Sequence, residues 1–180
     1  MKQLFLIFYH FFDNYVHLRR IKFFLSKNVI LDDPVIFDIG SHKGKIVKLL
    51  DDLYDNSLIY CFEPNKLMNP ILKKIGKNIK VYNYAIADKT DQRKLLINKI
   101  DLTNTLSQIN KNSLYLKIKN LISNKSENKD NYKKVKVISL NNFCKTKKIK
   151  SIDFLKIDVE GYEYKVLLGA KDILKNVKFI

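Results

Sequence analysis

The chain has 180 residues, one domain by length and enough to bury a real core. Its 46% hydrophobic content excludes a disordered or low-complexity chain. The formal charge of +16, from 34 basic and 18 acidic residues, raises nucleic acid, anionic lipid or an acidic substrate as partners. Arg19, Arg20 and Arg93 are the only arginines, however, and lysine, asparagine and isoleucine abound. An AT-rich genome produces that bias, so the excess reads as a solvated surface with no specific nucleic-acid site.

Residues 1–33 form an N-terminal segment. Its apolar run from Leu4 to Phe12 is broken by His10 and closed by Asp13, too short to span a bilayer. A signal peptide would need a small-residue cleavage site, and the stretch has none. It reads as an amphipathic helix. Its aromatic face either packs on the domain or touches a membrane surface or partner, and Lys2, Arg19, Arg20 and Lys22 keep peripheral membrane contact open.

Residues 34–180 alternate. "PVIFDIG" is a short, β-branched, apolar run ending in glycine, which predicts a buried strand. Ile46, Leu49, Leu50 and Leu53 follow at helical spacing. "SLIYCFEP" is a second strand, stopped by Pro64. "NKLMNPILKKIG" reads as a helix with Gly76 as its stop. "IKVYNYAIAD" is a third strand. Residues 89–134 interrupt the rhythm: "KLLINKI" suits a strand, "SLYLKIKNLI" a helix or a strand, and "SNKSENKDNYKK" an exposed loop. "VKVISLNNFCKTKKI" gives a strand and a short helix capped by Ser139. "SIDFLKIDVEG" is another strand. Val166, Leu167, Ala170, Ile173 and Leu174 then make a helical face, and "VKFI" begins one more strand. Strands alternating with helices predict an α/β fold: a mostly parallel sheet with helices on both faces.

Cys61 and Cys144 have no metal-ligand spacing and no metal cluster is visible, so no metal site is expected, with a carboxylate-bound divalent ion left open. Nothing marks the chain as secreted, and Cys61 reads as a buried small hydrophobe. We therefore expect a reducing compartment, the cytoplasm.

A chain with only 5 glycines places two in "VIFDIGSHKG". A strand, a glycine turn and a helix make a nucleotide site: Gly40 permits a tight turn or close backbone approach, and Gly44 lets the helix start pack closely. The helix start offers unpaired N–H groups. An acid at the end of the next strand, about 20 residues on, would bind the ribose hydroxyls, and Glu63 stands there. The loop lacks the middle glycine of a dinucleotide fingerprint, which argues against a pyrophosphate. S-adenosylmethionine has none, and a nearby carboxylate, Asp38, suits its cation. Asp88 in "AIAD" could accept from the adenine amine, or be a turn residue.

"FDIGSHKG", "CFEP", "NYAIAD" and above all "IDFLKIDVEGYEYKVLLGA" resemble the FkbM-type S-adenosylmethionine-dependent methyltransferases over about residues 34–180. The resemblance implies a class I methyltransferase, Rossmann-like sheet and S-adenosylmethionine as cofactor. It also implies O-methylation of a hydroxyl on a sugar, other glycan or natural-product acceptor. It gives cofactor roles to Asp38, Gly40, Gly44 and Glu63, with Ser41 in the same loop. Ser41 and His42 depart from the alanine and asparagine often found in that loop, so the contacts there differ in detail. The resemblance further implies a seven-stranded sheet, with two strands beyond the one that "VKFI" begins. We expect an incomplete enzyme, poorly active alone, whose open sheet edge could pair with another chain.

In "LKIDVEG" the alternation puts Lys156, Asp158 and Glu160 on one face of a strand. Three charges there must pair or line a crevice. Either Lys156 pairs with a carboxylate and Glu160 starts a helix, or the group forms a substrate or cofactor site at the strand's carboxyl end. Asp158 and Glu160 are the candidates to accept a proton from a hydroxyl nucleophile. Glu163 reads as a first-turn acid favoured by the helix dipole. A nicotinamide-dependent oxidoreductase and a non-catalytic cofactor-binding module are the rival readings.

Overall fold

The computed structural model describes residues 16–96, 106 and 132–180. Five strands build the central sheet: β1 (Val35–Ile39), β2 (Leu58–Phe62), β3 (Ile79–Tyr82), β7 (Ile152–Ile157) and β8 (Val177–Phe179). They run parallel in the order β3-β2-β1-β7-β8, so β3 and β8 are its edges. The neighbours of β1 come from opposite ends of the chain, which puts a topological switch point at its carboxyl end.

The expected doubly covered sheet is present. Successive strand residues point to opposite faces. Ile36, Ile59 and Cys61 face a layer made by α1 (Leu18–Asn28), α2 (Lys45–Asp51) and α3 (Asn69–Leu72). Phe37, Ile39, Tyr60 and Phe62 face α4 (Leu140–Lys147) and α5 (Glu163–Gly169), through Phe143 and Val166. Phe143 stands edge-on to the ring of Phe62 at 4.7 Å. Burial pushes the Cys61 thiol up to about 12, so it is an inert core residue, as its apolar run implied.

Two helical starts are capped by side chains. Asn65 accepts from the Leu67 N–H and starts the turn that leads through Pro70 into α3. Ser139 caps α4, its Oγ accepting from the Asn142 N–H at 3.3 Å. We expect Ser139→Ala to lower stability by about 1 kcal/mol, measured by denaturant unfolding, through loss of that cap.

The third strand corrects the sequence reading. "IKVYNYAIAD" is two strands. β3 stays in the main sheet, whereas β4 (Tyr84–Ile86) pairs parallel with β6 (Tyr132–Ile138), which pairs antiparallel with β5 (Asp91–Leu96). The break falls at Asn83, whose amide donates to the Glu63 carbonyl and to Asn69. Tyr132, Lys133 and Lys134, expected in an exposed loop, are exposed but belong to β6. All of "SLYLKIKNLI", most of "SNKSENKDNYKK", the end of "KLLINKI" and residues 1–15 lie outside the described residues. Among those described, no helix is long and apolar enough to cross a membrane.

Candidate active site

The glycine loop is built by close approach. Gly40 follows β1 with φ +83°, and its N–H donates to the Phe62 carbonyl at 3.0 Å. A Cβ there would sit 1.9 Å from the Asp158 carbonyl oxygen, so the turn and the end of β7 fit together only around glycine. Gly44, φ +77°, precedes α2, where a Cβ would meet Ile75 and Leu72. Ser41 is buried and donates from Oγ to the Asp38 carbonyl at 2.9 Å.

Glu63 leaves the end of β2 and is 5% exposed. Its Oε2 accepts from the His42 N–H at 2.9 Å and its Oε1 from the Asn65 N–H at 2.8 Å. A carboxylate has about four acceptor positions, so about two stay available. Burial raises its carboxyl above the ordinary value, and the two backbone donors offset part of that rise. Sequence reading missed Asn65 and Asn83, which hold Glu63 by side-chain and backbone bonds. The signals were an asparagine after Pro64 at a helix start, and a polar residue interrupting "VYNYAIAD".

A cavity of about 370 Å³ opens at the carboxyl end of the sheet. Gly40, Ser41 and Glu63 line it on one side, Lys156, Asp158 and Glu160 on another. Its volume lies within the ordinary range for small-ligand sites. Leu18 of α1 and Ala85 and Leu95 of the second sheet complete apolar parts of the wall.

Three of the expected cofactor residues stand behind this wall. Asp38 is fully buried, and its Oδ1 lies 2.9 Å from Lys156 Nζ. The cation that answers Asp38 is therefore one of the chain's own, because a carboxylate at the sheet centre needs a counter-charge. The β1–β7 register sets Asp38 against Lys156. Lys156 also donates to the Gly40 carbonyl at 3.0 Å and lies 3.7 Å from Asp158. Asp88 is turned to Arg93 at 2.8 Å and Lys165 at 3.6 Å, and the Arg93 guanidinium holds its carboxyl below the usual range. Gly44 serves helix packing.

The strand alternation also needs correcting. β7 ends at Ile157, so Asp158 lies just past it and Glu160 sits in a turn with φ +54°. Glu163 is in the first turn of α5, as expected, and also fastens that turn, its Oε1 accepting from the Val159 and Gly161 N–H groups. Arg93 donates to the Tyr162 hydroxyl at 2.7 Å, tying Asp88 to a residue of the cavity wall.

A doubly covered parallel sheet with its crevice at the switch point defines an α/β protein of the Rossmann-like kind. Residues 38–180 match the model of the methyltransferase FkbM domain, and the chain belongs to that family. It is 26% identical over 157 residues to the 2-O-methyltransferase NoeI of Sinorhizobium fredii, a match covering 82% of this chain. The chain spans 62% of that relative's length. No solved structure matches it at the same stringency.

Proposed function

We propose that this protein is an S-adenosylmethionine-dependent O-methyltransferase acting on a hydroxyl of a sugar or natural-product acceptor. The observation that carries the reading is Glu63: a carboxylate at the end of β2, oriented by two backbone donors, with acceptor capacity left and the cavity before it. The residues fit the cofactor. Glu63 can take the ribose diol, and Gly40 and Ser41 offer close backbone approach beside it. The relative's name, a 2-O-methyltransferase, supports a hydroxyl acceptor.

The bound cofactor supplies a methyl group already activated for in-line displacement, so the protein's task is alignment more than acid–base work. Asp158 and Glu160, both on the cavity wall, are the groups that accept the hydroxyl proton. Lys156 holds Asp158 and the Gly40 carbonyl near one point. Titration of the chain with S-adenosylmethionine, NAD and an oligonucleotide tests the class: binding of the first alone is expected, and binding of NAD in its place overturns the reading.

The pH dependence of that binding has a definite sign. The diol is accepted by ionised Glu63, so affinity falls as pH drops through its pKa. Because that pKa is raised above 4.5, the fall begins at a higher pH than an ordinary glutamate would give. The same raised pKa makes the folded chain hold this proton more tightly than the unfolded one. Its stability contribution is thus present at low pH and lost as pH rises through the folded value. Mild acid therefore weakens binding without unfolding the protein through this group. Calorimetry across the acid range checks it, and an affinity that declines only below 4.5 counts against Glu63 as the diol acceptor.

A further inference from the structure

We propose that the outer face of α1 docks on an anionic lipid bilayer. The helix packs on the domain through Leu25 and Val29 just beyond its end, both buried, with Leu18 and Ile21 beside them. At about 100° per residue, Arg20, Phe23, Phe24 and Lys27 fall on the opposite arc. All four are exposed, Phe23 at 68% and Phe24 at 60%, and Ile30 past the helix end at 81%.

Two adjacent phenylalanines in water mark an interaction surface. Its charge identifies the partner. "LRRIKFFLSKN" contains four basic residues and no acid. Phenylalanine rings on the apolar face of an interfacial helix bury at the headgroup–acyl boundary, and flanking arginine and lysine stems reach up to the phosphates. Each such cation gains from the negative surface potential of the leaflet. A protein partner fits less well, since lysine is depleted at protein interfaces. Nucleic acid would need a groove that tracks its backbone, and this is one convex helix face. Leu18, on the inward face of the same helix, lines the cavity, so the docked helix is also part of the wall of the site.

The test is co-sedimentation of the full chain with vesicles of phosphatidylcholine plus phosphatidylglycerol, and with vesicles of phosphatidylcholine alone. Wild type should bind the anionic vesicles at least about tenfold more tightly. Phe23→Ser with Phe24→Ser keeps every charge and should weaken binding about tenfold. Arg20→Ser with Lys27→Ser should weaken it similarly. Lys133→Ser with Lys134→Ser, exposed on β6, removes as much charge away from the helix and should leave binding near wild type. Four results overturn the proposal: no binding by wild type, wild-type binding by the phenylalanine variant, an equal loss in the β6 variant, or self-association or oligonucleotide binding that alone depends on the two phenylalanines.

Discussion

Glu63→Ala weakens S-adenosylmethionine binding by about 1.5–3 kcal/mol, roughly ten- to a hundredfold or somewhat more, because hydrogen bonds to a charged acceptor are the strong ones. The side chain does two things at once. It presents its remaining acceptor positions to the cavity, and it fixes the His42 and Asn65 N–H groups on either side. Alanine removes both, so the loop after β1 and the turn after β2 lose their common acceptor. Glu63→Gln separates the effects: it keeps one carbonyl oxygen but turns an amide N–H₂ toward one backbone donor. S-adenosylhomocysteine carries the same ribose without the sulfonium charge. If the carboxylate binds the diol, both ligands lose affinity by a similar factor in calorimetry. A loss confined to S-adenosylmethionine would mean that Glu63 acts through charge on the sulfonium, and an unchanged affinity would remove it from the site.

The sheet was legible because its strands are self-marking. "VIFDI" and "LIYCF" are β-branched and aromatic runs bounded by turn residues, and both become buried strands beside each other. The split of "IKVYNYAIAD" was not legible, because period-2 alternation says that a segment is extended and not which neighbour it pairs with. The break shows in the pairing, β3 with β2 and β4 with β6, and Asn83 marks it through its contacts with Glu63 and Asn69. The same gap explains Asp38 and Asp88. Each was a sound candidate by residue type and strand position. What sequence could not supply was the partner: a lysine brought in by the parallel register in one case, and in the other an arginine five residues on together with a lysine from α5. Lys156 was legible as a charge that had to pair or line a crevice, and it does both, its ammonium lying against Asp38 at the cavity wall.

Lys156→Met should be among the most damaging single changes to stability. Asp38 has no exposure at all, and its only cationic partner among the described residues is Lys156 at 2.9 Å. Neither carboxylate oxygen has a partner in hydrogen-bonding geometry, so the charge is answered by the nearby ammonium alone among the described residues. Removing one member of a buried pair strands the other, at a cost of about 3–5 kcal/mol. The change also frees the Gly40 carbonyl, which Lys156 Nζ holds at 3.0 Å, just where β1 enters the glycine loop. Methionine keeps most of the side chain's length, so little of the loss comes from packing. Asp38→Asn with Lys156→Met removes the stranded charge, and stability should recover by several kcal/mol relative to Lys156→Met alone, read as the midpoint in a urea titration. Asp158, 65% exposed and 3.7 Å from the same ammonium, has water to solvate it and contributes little to this balance. Asp158→Asn should therefore leave the urea midpoint near wild type. If Lys156→Met unfolds no earlier than wild type, the Asp38–Lys156 ion pair is not what holds β1 to β7 at this point.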